Sequence, residues 1–301
     1  MNDEPPMTRP VVPEADREIG VKHPVLTHGY VVLVDYMGND AAIVQAARVS
    51  YGRGTKAVRD DRGLIRYLMR HRHTTPFEMV EFKFLVRLPI FVARQWIRHR
   101  MASVNEYSAR YSVVPDEYEL PPADEVRHQS TRNRQGRGDP LPPEVVEQFR
   151  SDLDRVSKEA YAAYSRAIEA GVARETARLL LPVAYYTQWY WKIDLWNLFH
   201  FLSLRLDPHA QEEIRLYAAE LSRLARLVAP VAYEAFEEFT LSGLSLSRRE
   251  QLAVRALLDG QTPEAACDAA GLPLTREDGK PMTTGEGVEF LEKLTRLRSS
   301  S

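Results

Sequence analysis

The chain has 301 residues, of which 44% are apolar, and this is enough to build one large domain around a hydrophobic core. Its 40 basic and 42 acidic residues nearly cancel, so the overall charge gives no reason to expect nucleic acid or a membrane surface as a partner. The single cysteine, Cys267, excludes an intramolecular disulfide framework and a cysteine-rich zinc site, which predicts a reducing, cytoplasmic location. We expect neither a secretory leader nor a membrane span, because no window is apolar enough for either.

The N-terminal part of the chain predicts two strands separated by helices. Tyr30–Tyr36 has the Val, Leu and Tyr content of a strand, and Ala41–Val49 and Lys56–His71 follow as helices. Val80–Leu88 alternates apolar and charged residues, as an antiparallel strand with one solvated face requires.

A short helix with two different faces is predicted next, over Ile90–His99, with Pro89 at its start. Helical spacing places Ile90, Ala93 and Ile97 together on an anchoring face. Gln95, Arg98 and His99 gather on the opposite face. We therefore expect an anchored helix that presents polar groups for a function.

The rest of the main domain is predicted to be mostly helical. Val113–Pro143 is rich in Pro, Asp, Arg and Gly and indicates a long irregular loop. The predicted elements after it are a helix over Glu144–Ala170 ended by Gly171, a short helix over Ala173–Leu181, a strand over Ala184–Trp191, a helix capped by Asp194 that runs to Arg205, and a core helix over Gln211–Glu237. Strands mixed with long helices predict an α+β fold.

The composition changes after Thr240 and predicts a separate appendage. We divide the chain into a polar extension (1–26), a main domain (27–240) and a helical C-terminal extension (241–301). Two short helices, Ser247–Leu258 and Thr262–Ala270, have the order of a helix-turn-helix. A helical hairpin packed on its own subunit is favoured, because the second helix carries Glu264 and Asp268 where a DNA reader needs basic residues.

One segment, Arg98–Arg110, concentrates groups that carry chemistry. It holds three arginines, a histidine, an acid, an amide and two serines within thirteen residues. Arginine offers a fixed pair of donors to phosphate oxygens, and serine hydroxyls add short hydrogen bonds to the same anion. This composition favours a nucleotide phosphate site, although a charged loop whose arginines pair with nearby acids explains the composition equally well.

The order of the residues resolves that choice. Arg-His-Arg-x-x-Ser-x-Asn-Glu-x-Ser-x-Arg, over Arg98–Arg110, resembles the signature of flavin-dependent thymidylate synthases at every specified position. The resemblance extends over roughly Val31–Phe239 and includes the segments His73–Glu78 and Arg178–Pro182. It implies a central antiparallel sheet flanked by long helices and a homotetramer with sites at subunit interfaces. The implied reaction converts dUMP to dTMP, with FAD as cofactor and with NADPH and 5,10-methylenetetrahydrofolate as co-substrates.

The resemblance also assigns residues to the substrate. The dUMP contacts that it implies are Gln95, Trp96, Ile97, Arg98, Glu106, Tyr107, Ser108, Ala109, Arg110, Arg178 and Arg205. Arg205 has the implied catalytic role, since it corresponds to the arginine that favours the ionised N3 of the uracil and so activates C5. The alternative for Arg205 is a helix C-terminal cation paired with Asp207.

The flavin is assigned to a second set of residues. The FAD contacts that the resemblance implies are Ser50, His73, Thr75, Glu78, Arg98, His99, Arg100, Glu106, Asp194, Leu195, Trp196 and His200. Family members often carry Asn where this chain has Asp194 and His200. For Asp194 the alternative is a helix N-cap, and for His200 it is a histidine packed in the core.

Four other interpretations follow from single features. His71, His73 and His99 suggest a metal site, but no His-Glu-x-x-His or paired-cysteine spacing supports one, and we expect no metal. Cys267 lies far from the signature, which predicts a route without a cysteine nucleophile. A nucleotide-binding regulator would need the phosphate site but no flavin residues, and a DNA-binding protein would use 247–272 with strongly salt-dependent affinity.

Overall fold

In the computed structural model, which describes residues 9–49, 61–130 and 136–299, five strands form one sheet in the order β1-β2-β3-β7-β4. These strands are β1 His23–Val25, β2 Gly29–Met37, β3 Glu81–Pro89, β4 Ser103–Glu106 and β7 Tyr186–Asp194. All four pairings in this sheet are antiparallel. The central antiparallel sheet of an α+β fold is therefore confirmed.

Strand β3 shows the alternation that the sequence predicts. Phe82, Phe84, Val86 and Leu88 are at most 1% exposed, so one face of the strand lies in the core. On the other face Glu81 accepts hydrogen bonds of 3.0 Å from Lys192 of the neighbouring strand β7. One face of the sheet is thus packed by helices, while its other face carries charged groups.

Ten α-helices accompany the sheet in the described part of the unit Met1–Leu241. They are α1 Pro13–Asp16, α2 Asp40–Val49, α3 Asp61–Arg70, α4 Thr75–Glu78, α5 Ile90–Trp96, α6 Pro143–Glu169, α7 Arg174–Ala177, α8 Leu195–Arg205, α9 Glu212–Val228 and α10 Pro230–Phe236. The predictions for α2, α6 and α8 are confirmed. In the predicted helix Lys56–His71, residues 56–60 lie outside the described residues.

A cluster of buried aromatic rings joins α5 to the sheet and to α8. The Trp96 ring centroid lies 5.0 Å from that of Trp191 on β7 and 4.8 Å from that of Phe201 on α8. Trp191 and Phe201 are themselves 5.2 Å apart. Aromatic pairs at these distances are worth about 0.5–1.5 kcal/mol each beyond their buried area. The cluster therefore holds the C-terminal end of α5 beside α8.

Helix α5 is shorter than predicted, and its buried face differs from the one expected. The helix ends at Trp96, and Val92, Ala93 and Trp96 are buried, whereas Ile97 is 45% exposed. The prediction that Ile90, Ala93 and Ile97 form the anchoring face is wrong for Ile97. The large indole of Trp96 fills the core in its place, because it buries more apolar area than Ile97 would.

The predicted core helix over Gln211–Glu237 is two helices. Pro230 has no N–H group and its ring disfavours the helical conformation of the residue before it, so α9 ends at Val228 and α10 begins at Pro230. The carboxylate of Asp40, at the start of α2, accepts hydrogen bonds of 2.9 Å from the backbone N–H groups of Val231 and Ala232. This carboxylate satisfies donors that the proline break leaves free.

The loop predicted over Val113–Pro143 is only partly irregular. A short two-stranded sheet lies within it, formed by β5 Arg127–Gln129 and β6 Arg137–Pro140. The prediction of a wholly irregular loop is therefore wrong. Short polar strands of this kind have no apolar alternation, which is why the sequence pattern does not reveal them.

The unit Ser242–Ser301 has a small core of its own. It contains α11 Arg248–Leu258, α12 Pro263–Ala269 and α13 Glu286–Ser299. Cys267, Leu272 and Phe290 are at most 1% exposed in this core. The first two helices are as predicted, and the third was not expected. Within the described residues, no helix is both long and apolar enough to cross a membrane.

Candidate active site

The first candidate site is a cavity of about 490 Å³ between the end of α5 and the last turns of α8, which we call the Arg205 cavity. Its walls are formed by Arg98, His99, Arg100, Met101, Ile193, Asn197, His200, Leu204 and Arg205. Among the residues that the structure describes, no carboxylate pairs with its three arginines. The cavity therefore has uncompensated positive charge suited to an anion.

A hydrogen bond between Arg205 and His99 fixes the floor of this cavity. The Nε–H group of Arg205 donates to Nε2 of His99 over 3.0 Å. Burial lowers the pKa of His99 to about 4, and the positive charges of Arg205 and His200 act in the same direction. His99 is therefore neutral near pH 7 and can accept this bond. Burial also lowers the pKa of Arg205, which nevertheless remains charged at any ordinary pH.

The second candidate site is a cavity of about 340 Å³ beyond the other end of β4, which we call the Arg178 cavity. It is lined by Ile90, Glu106, Tyr107, Ser108, Ala109, Val114, Arg178, Leu181, Tyr186 and Thr187. The Glu106 carboxylate accepts a hydrogen bond of 2.6 Å from the hydroxyl of Thr187. Arg178 donates through Nε to the backbone oxygen of Glu175 over 3.3 Å, and within the described part of the chain its terminal nitrogens have no partner and can reach a ligand.

The two cavities lie toward opposite ends of strand β7 and share no lining residue. Thr187 belongs to one and Ile193 to the other, and an extended chain of this length spans roughly 20 Å. The signature segment Arg98–Arg110 contributes to both, because β4 runs along β7 between them. One continuous motif thus supplies two separate sites.

A larger cavity, of about 590 Å³, lies between the β5–β6 sheet and the start of α9, and its electrostatics differ. Arg137 pairs there with Glu125 and Glu213, and Arg215 pairs with Glu212 at 2.5 Å. These two arginines are already compensated by carboxylates, and Arg127, which also lines the cavity, donates to the backbone oxygens of Asp124 and Gly138. The Arg205 cavity is therefore the better anion site, although it is smaller.

Nine of the twelve residues predicted to bind flavin fall into three groups. Arg98, His99, Arg100 and His200 line the Arg205 cavity, while Glu106 belongs to the Arg178 cavity. Thr75, Glu78, Leu195 and Trp196 come together because α4 packs on the start of α8, with the Phe77 and Trp196 rings 5.9 Å apart. His73 is exposed just before α4, and Ser50 lies outside the described residues. Leu195 is fully buried, and its backbone N–H group donates to the carbonyl oxygen of Val80 over 2.7 Å.

The residues predicted to bind dUMP are divided in the same way. Arg98 and Arg205 lie in one cavity, and Glu106, Tyr107, Ser108, Ala109 and Arg178 lie in the other. The remaining four, Gln95, Trp96, Ile97 and Arg110, line neither cavity. The Trp96 side chain is fully buried in the aromatic cluster, and the Gln95 amide donates to Gln211. Arg110 pairs loosely with Glu175 at 3.4 Å, where both side chains are exposed.

The structure also bears on the alternatives for three residues. The Asp194 carboxylate accepts hydrogen bonds of 2.9 and 2.7 Å from the backbone and side-chain N–H groups of Asn197, so Asp194 is the N-cap of α8. His200 is exposed in the cavity wall and is not a core histidine. The Asp207 carboxylate accepts from the backbone of His209 over 2.7 Å, while Arg205 bonds His99. Across residues 9–49, 61–130 and 136–299, no three His, Cys, Asp or Glu side chains converge as metal ligands.

Sequence reasoning missed several lining residues, of which Tyr186 and Thr187 carry polar groups. Thr187 occupies the core-facing register of β7, in phase with Trp189, Trp191 and Ile193. A polar residue at an apolar position of an alternating strand is the signal that could have identified Thr187.

Comparisons with known proteins place this geometry in a family. The family model Thy1, described as thymidylate synthase complementing protein, matches residues 32–231. A flavin-dependent thymidylate synthase from Gluconobacter oxydans is 54% identical over 263 residues, covering 86% of this chain and 87% of that relative. One from Wolbachia pipientis is 52% identical over 253 residues, covering 84% and 89%.

Solved structures agree with these relatives. A UMP/dUMP methylase, PolB from Streptomyces cacaoi, bound with 5-Br dUMP, has a TM-score of 0.65 and 37% identity, covering 73% of this chain and 99% of that chain. The same enzyme bound with 5-Br UMP has a TM-score of 0.65 and 38% identity, covering 72% and 98%.

Proposed function

Since this chain belongs to the family of flavin-dependent thymidylate synthases, we propose that it methylates dUMP to dTMP. The proposed carbon donor is 5,10-methylenetetrahydrofolate, and NADPH is the proposed reductant, acting through FAD. The observation that carries the proposal is the uncompensated cationic floor of the Arg205 cavity, where the signature segment meets α8. We propose a cytoplasmic location, in keeping with the single, unpaired cysteine.

Arg205 is the proposed activating residue. Its guanidinium is fixed on one side by His99, and a fixed cation stabilises negative charge that develops beside it without reorganising. Placed against the uracil, it would favour loss of the N3 proton and raise the electron density at C5. The C5 carbon would then attack the methylene carbon of the folate, whose bond to the folate nitrogen breaks to release tetrahydrofolate, and C5 would later lose its own proton.

The residues around the Arg205 cavity suit FAD. Its pyrophosphate carries negative charge, and the guanidinium groups of Arg98 and Arg100 are free of carboxylate partners in the described part of the chain. We propose that these arginines, with His99 and His200, hold the cofactor, together with His73, Thr75 and Glu78 beside α4. When bound, FAD supplies the hydride that completes the methyl group.

The Arg178 cavity is the proposed site for the nucleotide phosphate and sugar. Ser108 offers a hydroxyl and Arg178 its two terminal nitrogens, which suits a phosphate dianion. UMP is the second candidate substrate, since a structural neighbour is named a UMP/dUMP methylase. dUMP is preferred, because the relatives named thymidylate synthases are more similar in sequence.

The route needs no cysteine of the enzyme. Cys267 is fully buried in the unit 242–301, and burial, with a contribution from Glu264, raises the pKa of its thiol. A buried neutral thiol is a poor nucleophile. We expect Cys267→Ala to keep kcat for dTMP formation within about twofold, apart from a small loss of stability from the cavity. A collapse of turnover in a variant with a native circular dichroism spectrum would overturn the cysteine-free route.

We further propose a homotetramer in which the Arg205 cavity of one copy meets the Arg178 cavity of another. The residues assigned to one nucleotide are divided between two cavities about 20 Å apart along β7, and a second copy would bring them together. At a dUMP concentration below the wild-type KM, where both variants are impaired, mixing Arg205→Ala with Arg178→Ala, with subunit exchange, should then raise the activity above that of either variant alone. Random mixing pairs two intact cavities at roughly one site in four. Sites built from a single chain would show no recovery.

The deciding experiment measures flavin and product in the purified protein. We expect an absorbance band of oxidised flavin that NADPH bleaches under anaerobic conditions, followed by dTMP formation when dUMP and methylenetetrahydrofolate are added. UMP is assayed in parallel. Nucleotide binding by a protein that never carries flavin would favour a regulator, and bleached flavin that yields no methylated nucleotide would defeat the proposed activity.

A further inference from the structure

The orientation of Arg205 depends on a contact with a different segment of the chain. Arg205 ends α8, and its Nε–H group donates to Nε2 of His99, which lies 106 residues earlier and just beyond α5. Within the described residues the terminal nitrogens of Arg205 have no protein partner. The bond therefore occupies the Nε–H group of the guanidinium and leaves its two terminal nitrogens to bind a ligand.

The imidazole of His99 is held in place by α8 itself. Its ring meets the ring of Phe201 edge-on at 4.8 Å between centroids, and Phe201 is fully buried in the aromatic cluster. The charged and titratable groups that share the cavity with His99 are Arg98, Arg100, His200 and Arg205. Burial, followed by Arg205 and His200, disfavours a proton on His99, so the ring stays neutral with its one proton on Nδ1.

We infer that His99 is a positioning residue for Arg205. The neutral Nε2 atom of His99 orients the guanidinium of Arg205 without neutralising its charge. The inference rests on the proposed function. A carboxylate at this position would hold the arginine equally well, but it would cancel much of the positive charge that the substrate is to meet. An apolar residue would leave the charge intact but free the side chain to rotate. A neutral acceptor is the one partner that gives both fixed geometry and full charge.

Three substitutions separate these effects. His99→Leu removes the acceptor, and kcat should fall roughly ten- to a hundredfold, as for loss of a hydrogen bond to a charged group. His99→Gln offers an amide oxygen and should recover at least part of the rate. His99→Glu keeps an acceptor but adds charge, and kcat should fall despite native folding. His128→Leu, at an exposed histidine of β5, is the matched control.

The measurements are kcat per bound flavin, KM for dUMP, and flavin content by absorbance. A positioning role predicts that His99→Leu lowers kcat while KM changes by less than about threefold, because ground-state binding is largely kept. It also predicts non-additivity: adding His99→Leu to Arg205→Ala should cost almost nothing more. Full additivity in this double-mutant cycle would overturn the inference.

Two other results also test the positioning role of His99. If wild-type protein makes no dTMP, the proposed function fails, and the His99 variants are not needed to decide that. If wild-type protein is active while His99→Leu and His99→Gln lose flavin together but keep kcat per bound flavin, then His99 serves only as a flavin contact and the positioning role is wrong. Should His99→Leu fail to fold, the comparison of His99→Gln with His99→Glu still tests the role of charge.

Discussion

The two cavities use arginine in opposite ways, although the same thirteen-residue segment contributes to both. In the Arg205 cavity the guanidinium is half-buried and fixed by a neutral histidine. In the Arg178 cavity the arginine is exposed and, among the described residues, is bonded to the backbone oxygen of Glu175 in α7. A buried, oriented charge suits the stabilisation of a developing anion, while an exposed one suits the capture of an anion that is already formed.

The comparison predicts the largest effect for Arg205. Arg205→Ala should lower kcat for dTMP formation by roughly 100- to 1,000-fold, the usual cost of losing an oriented donor at a developing charge. Arg205→Lys keeps the charge but loses the Nε–H group that His99 accepts, so it should remain well below wild type. Steady-state kinetics with purified, flavin-loaded variants measure both. A Lys variant with wild-type kcat would show that orientation is unimportant here.

A smaller effect, on a different parameter, is expected for the second cavity. Arg178→Ala should raise KM for dUMP by roughly ten- to a hundredfold, since a charged hydrogen bond to phosphate is lost, with a much smaller change in kcat. The control is Arg166→Ala, at an exposed arginine of α6 that lies in neither cavity. A fall in kcat without a change in KM would reverse the roles assigned to the two cavities.

The pH dependence of stability gives the smallest effect. The pKa of His99 is about 4 in the folded chain, against 6.5 as its ordinary value, so the unfolded chain binds an extra proton between these pH values. Folding stability should therefore fall as pH decreases from about 6.5 to about 4, by roughly 1–2 kcal/mol after allowance for solvent screening.

His99→Gln has no such group, and its free energy of unfolding should decline less steeply over this window. Urea denaturation at several pH values measures the difference between the two proteins. If the free energy of unfolding fell equally with pH in wild type and His99→Gln, His99 would be solvated in the folded chain. Its pKa would then not be lowered, and the reason for its being neutral would be removed.

Much of the fold could be predicted from local patterns. The alternation of Phe82, Phe84, Val86 and Leu88 is periodic enough to predict β3 and its buried face. Asp194 as a helix N-cap follows from residue type and position alone. The break at Pro230 was also readable, because a proline inside a helical pattern ends the helix there. The polar strands β5 and β6 could not be predicted, because their residues do not alternate between apolar and polar.

The sequence by itself determined the chemistry of this protein. The order of residues over Arg98–Arg110 indicated the family, and the family match agrees with it. A motif in a continuous segment can be read in this way, because its residues are neighbours along the chain.

Only the tertiary structure decided how those residues are divided and oriented. The pairing of β4 with β7 sends the two ends of the motif to separate cavities, and the packing of Trp96, Trp191 and Phe201 brings His99 to Arg205 across 106 residues. Contacts between distant segments depend on which faces are buried together. Trp96, predicted at the substrate and found in the core, shows that a position in the motif does not fix the direction of a side chain.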